Sequence, residues 1–102
     1  MTSSNYIERI ADEIRAAVPS EVLPKGPIDH LFLAYAVLAL AKGELVTPED
    51  VHNAWASWMT SRDPHHESIK PYSELSFDDR REDDPFVSAI RTVASRLPGT
   101  HA

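Results

Sequence analysis

The chain has 102 residues, 42% of them hydrophobic and 25% charged, which predicts a single globular domain over residues 1–102 rather than disorder or several domains. Acids outnumber bases 16 to 10, for a net charge of -6, and no run of Lys or Arg supplies the basic face that nucleic-acid binding needs. Cysteine is absent, which excludes disulfides, thiolate metal sites and a cysteine nucleophile.

Met1 to Asn5 is polar and lacks the basic and apolar regions of a signal peptide. The longest apolar run, Leu31 to Ala41, is too short to span a bilayer and reads as a core helix. The expectation is a soluble, cytoplasmic, all-α protein.

The first helix is predicted over about Tyr6 to Ala17. Tyr6, Ile7, Ile10, Ile14, Ala17 and Val18 recur at helical spacing, and Glu8, Arg9, Asp12, Glu13 and Arg15 fill the opposite face. Asn5 is the expected cap, with Glu8 reaching back to it. Pro19 stops the helix, and Ser20 to Pro27 reads as a loop.

The second helix is predicted over about Asp29 to Lys42. It is apolar almost all round, so it is expected to be central and covered on every side. Gly43 is its expected stop, with Lys42 complementing the helix dipole. The third helix has the clearest start: Thr47 as cap, Pro48 first, then Glu49 and Asp50 in the first turn. Val51, Ala54, Trp55, Trp58, Met59 and Arg62 follow at helical spacing, and the helix ends before Asp63-Pro64.

A polar loop is expected from Asp63 to Tyr72, then one turn at Pro71 to Leu75 and a short helical piece from Ser76. The charged run Asp78 to Asp84 reads as a solvated face. The last helix is predicted to start with Asp84 as cap and Pro85 first. It buries Phe86, Val87, Ile90, Val93, Ala94 and Leu97, and Pro98-Gly99 ends it, with Thr100 to Ala102 frayed. The sum is a compact bundle of four main helices plus a short turn-helix between the third and the last. Its predicted core is Ile7, Ile10, Ile14, Leu33, Val37, Leu40, Val51, Trp55, Met59, Leu75, Phe86, Ile90 and Val93.

Chemistry is sparse. His52 and Trp55 stand three apart on one helix face and read either as a ligand-pocket wall or as packed core, and Trp58 reads as core. Arg62 and Lys70 flank the loop. With His52, His65, His66 and Tyr72 they make a locally positive, aromatic-lined patch. Asp63, His65, His66 and Glu67 lack the spacing of a metal site, and no metal or cofactor is expected. The chain has only three glycines and none in a phosphate loop, and its serines lie in no nucleophile motif, so no enzyme activity is expected.

From Val51 to Ala94 the chain resembles the RyR domain, a small helical module repeated in ryanodine receptors and found singly in bacteria and phages. The likeness lies in VHNAW, then HESIKPYSELSFDDRREDDPF and a closing amphipathic helix. The shared elements fall on His52, Trp55, Pro71, Tyr72, Leu75 and Asp84. Ser61 to His65 departs from the glycine- and aromatic-rich turn that the family often carries. The whole chain is also similar to small proteins of actinobacteria and their phages. Because bacterial RyR-like domains have been proposed as sensors of nucleotide-derived ligands, the resemblance implies a similar role here.

Two functions are therefore expected as alternatives. One is a non-enzymatic module for a small anionic or nucleotide-like ligand, held by His52, Trp55, Arg62, Lys70 and Tyr72. The other is an interaction or assembly module, acting as a homodimer that covers the rest of the apolar second helix.

Overall fold

The computed structural model describes residues 4–98. All regular structure among them is helical: α1 (Tyr6–Ala17), α2 (Asp29–Lys42), α3 (Pro48–Arg62), α4 (Phe77–Arg81) and α5 (Asp84–Ala94). Single 3-10 turns at Ser20–Val22, Gly43–Leu45 and Tyr72–Glu74 shape the connections. No helix among the described residues is long and apolar enough to cross a membrane.

Local chemistry explains the boundaries. The Asn5 side chain accepts a hydrogen bond from the Glu8 amide at 2.8 Å, and the Glu8 carboxylate accepts from the Asn5 amide at 3.0 Å. This reciprocal pair satisfies two amides that α1 itself leaves free. Thr47 and Asp50 repeat the arrangement at the start of α3, where the Lys42 ammonium also reaches Asp50 at 3.3 Å. Gly43 ends α2 at φ 59°, ψ -136°, a conformation open to glycine but costly for a residue with a Cβ.

The start of α5 differs from expectation. Asp83 is the residue before the helix, and its side chain makes no capping bond; Asp84 already lies inside. Asp83 has right-handed helical dihedrals, so the chain passes from α4 into α5 without the extended residue that a capping side chain requires. The helix also stops earlier, at Ala94, leaving Leu97 in the following turn. Gly99 and the expected frayed end at Thr100 to Ala102 lie outside the described residues.

α2 packs against α1, α3 and α5. The core between them holds Ile10 and Ile14 of α1, Leu31, Phe32, Tyr35 and Ala36 of α2, and Phe86, Ile90 and Val93 of α5. Phe32, Tyr35 and Phe86 form an aromatic cluster, with centroids 5.2 Å apart for Phe32–Tyr35 and 5.8 Å for Tyr35–Phe86. Tilted and edge-on contacts of this kind suit the charge distribution of the rings.

Two predicted core residues are not in the core: Val37 is 53% exposed and Leu40 is 41% exposed. Ile7, Leu33, Trp55 and Met59 are half-buried. The reason is geometric. Leu31, Phe32, Tyr35, Ala36 and Ala39 share the face that α1, α3 and α5 cover. Val37 and Leu40 turn away from that face and stand exposed, while Leu33 between them and the core is half-buried. Apolarity all round α2 therefore does not mean cover all round.

Candidate functional site

The site is built outward from His52. This residue lies one turn into α3 and is 3% exposed. Its Nε2 stands 2.7 Å from the Lys70 carbonyl oxygen. A carbonyl only accepts, so Nε2 carries the proton and donates; Nδ1 has no hydrogen-bond partner among the described residues. The bond ties the loop after α3 back onto its first turns. It also brings Tyr72 to 6.1 Å from the His52 ring. Trp55 lies one turn further along α3 and stacks on His52 at 5.8 Å with 25° between the planes, while the His66 ring meets Trp55 edge-on at 5.1 Å.

The loop in turn positions α4. Arg80 sits 5.2 Å above the Tyr72 ring and donates to the Ser73 carbonyl at 2.7 Å. α4 then delivers Asp83 to the corner where α5 begins. Asp83 is half-buried, and its Oδ2 is shut from solvent with no hydrogen-bond partner. Burial pushes the Asp83 carboxyl up to about 6; nearby His52 pulls it down, while Glu82 and Asp84 add to the rise.

Between α3, the loop and this corner lies an open cavity of about 840 Å³. Small-ligand pockets fall in a range of roughly 300–1,000 Å³. Trp55, His52 and His66 form one wall, Tyr35, Leu75 and Phe86 the floor, and Asp78, Asp79, Glu82, Asp83 and Asp84 the acidic side, with Arg81 the one guanidinium in the lining. Tyr35 is 1% exposed, and its hydroxyl makes no hydrogen bond among the described residues. Burial, and secondarily the Asp83 charge, push the phenol far above its ordinary value, so it stays protonated.

The chain belongs to the DUF7701 family. This family is described as a domain of unknown function and matches residues 5–95. No curated protein and no solved structure matches the chain.

In this DUF7701 chain three of the five residues expected at the site come together: His52, Trp55 and Tyr72. The other two do not join them. Arg62 leans 4.4 Å over the Trp58 ring and faces Pro27 and Gly26. With Lys25 and Asp63 it lines a shallower cleft on the far side of Trp55. Lys70 contributes its backbone carbonyl, while the residue itself is exposed. Of the polar loop, His66 joins the Trp55 wall, and its Nδ1 accepts from the Ser68 amide at 3.1 Å. His65 instead places its amide on Asp63. Among the described residues no three His, Asp or Glu side chains gather into a metal-binding group.

Sequence reasoning missed Tyr35 and Asp83. Tyr35 is the only hydroxyl in α2, on the face that packs, and a buried phenol needs a hydrogen-bond partner. Asp83 carried no comparable signal, because the run around it is uniformly charged.

Proposed function

We propose that this chain is a non-catalytic binding module that holds a small ligand in the cavity between α3, the loop and the α4–α5 corner. The observation that carries this reading is Tyr35: a side chain only 1% exposed that lines a cavity of ligand size, its hydroxyl bonded to no other described residue. A bound ligand supplies that hydroxyl with the partner that the fold does not. The half-buried Trp55 ring beside it offers a flat apolar wall. The resemblance of residues 51–94 to the RyR domain supports the same reading.

That resemblance favours an anionic or nucleotide-like ligand, and the electrostatics set how one would lie. Five carboxylates line the cavity, so a phosphate stays out of it. Lys25 and Arg62, across the Trp55 ridge, are the cations available to a phosphate, and the base would enter. Native mass spectrometry of the purified protein tests for a retained small molecule. Thermal shift with nucleosides and nucleotides tests the class. A stabilising ligand whose effect disappears in Trp55→Ala and Tyr35→Phe supports the reading; a response unchanged in both variants overturns it.

A second reading rests on a separate observation. Val37 and Leu40 are 53% and 41% exposed on one side of α2, and Leu45 in the turn that follows is 80% exposed. Two copies joined through this side would form a homodimer with a self-complementary apolar contact. Light scattering decides it: a dimer mass that becomes monomeric in Val37→Glu supports assembly, and a monomer at all concentrations dismisses it.

A further inference from the structure

The cavity also carries information about the charge of what it holds, an inference that rests on the binding reading above. Two of its lining side chains are more than nine-tenths buried and carry a polar atom bonded to no other described residue: the Tyr35 hydroxyl and the His52 Nδ1. Because Nε2 is committed as donor to Lys70, Nδ1 is an acceptor in the neutral ring. The Tyr35 oxygen accepts as well as donates. Asp83 adds a half-buried carboxylate to the lining, and its neighbours Glu82 and Asp84 hold the potential there negative. The set therefore has acceptors from three elements and an excess of negative charge. No lysine stands in the lining; Arg81 and the His52 and His66 imidazoles are its only groups able to carry positive charge.

We propose that the cavity selects a small molecule with a protonated amine beside a flat ring, the amine set against Asp83, Tyr35 and His52 and the ring against Trp55. An ammonium offers three donors and no acceptor, which is the complement of this lining. It neutralises Asp83 where an anion would add to the repulsion. The aromatic side chains contribute to attraction of the cation as well as to stacking. A neutral ring gains the stacking alone.

Three compounds with one ring and different charge test the proposal: tryptamine, 3-ethylindole and indole-3-propionate, each titrated into the wild-type protein and followed by amide NMR. Tryptamine is expected to bind at least tenfold more tightly than the other two. Asp83→Asn is expected to erase that preference, with unchanged amide signals from α1 as the control that the variant folds. If indole-3-propionate binds as well as tryptamine, or if the preference survives Asp83→Asn, the charge assignment is overturned and the cavity still stands as a binding site. If no compound moves signals from α3 and the α4–α5 corner at millimolar concentration, both readings are overturned.

Discussion

Two aspartates stand at the starts of two helices, and their surroundings could hardly differ more. Asp50, in the first turn of α3, shares reciprocal hydrogen bonds with Thr47 and meets the Lys42 ammonium. Burial alone would raise its carboxyl, but the Thr47 hydrogen bonds and Lys42 outweigh it and hold the group below its usual value. Asp83, just before α5, makes no capping bond, has an unpartnered oxygen and is pushed up to about 6. The first aspartate is spent on holding the fold. The second is kept at a cost to the fold, beside the cavity that Tyr35 lines. Polar groups left unpaired in this way mark where a fold gives up stability for something outside itself.

The contrast makes predictions, the largest for the core that supports both corners. Ile14→Ala deletes a fully buried side chain and is expected to cost about 2–5 kcal/mol in urea unfolding, a large share of the roughly 5–15 kcal/mol available to a domain. His52→Ala is expected to cost about 1–3 kcal/mol by removing the donor to Lys70. Hydrogen exchange should rise across Lys70 to Leu75 and little in α1. Equal loosening of both segments would mean that His52 is ordinary core.

The two aspartates then separate by sign. Asp50 has a lowered carboxyl, so its contribution is present above the ordinary carboxyl range and is lost as pH falls; Asp50→Asn should destabilise at pH 7 by about 1 kcal/mol. Asp83 has a raised carboxyl. Between an unfolded value near roughly 4 and its folded value the native state holds the extra proton, so stability falls as pH rises through that window. Asp83→Asn should remove that fall and stabilise the free protein at pH 7. The gain is about 1 kcal/mol, discounted for the solvent that reaches this half-buried group. That corresponds to roughly 4–8 °C in Tm. A Tm that drops instead would show that Asp83 has partners and that the contrast is false. Smallest of all, Leu45→Ser should change monomer stability by less than about 0.5 kcal/mol.

Much of this was legible in the sequence, for reasons that also explain the misses. The Asn5–Glu8 pair, Thr47-Pro48 and the stripes of α1 and α5 are local signals, and the helices follow them closely. The His52–Trp55 spacing was legible because residues three apart on a helix are neighbours. Arg62 and Lys70 were misplaced because nothing local says which way a side chain turns where a helix ends and a loop begins. Val37 and Leu40 were misjudged because an apolar side chain prefers cover, and only the packed structure shows whether a further element exists to supply it. Asp83 was hidden because the five acids from Asp78 to Asp84 look alike until one of them is buried.

The binding claim is tested most directly by the two indole N–H signals of the wild-type protein during titration with tryptamine. Trp55 lines the acidic cavity, whereas Trp58 lies under Arg62 in the cleft beyond it. The Trp55 signal is expected to move and saturate while that of Trp58 stays nearly still. Equal drift of both signals without saturation, or movement of Trp58 alone, would contradict it.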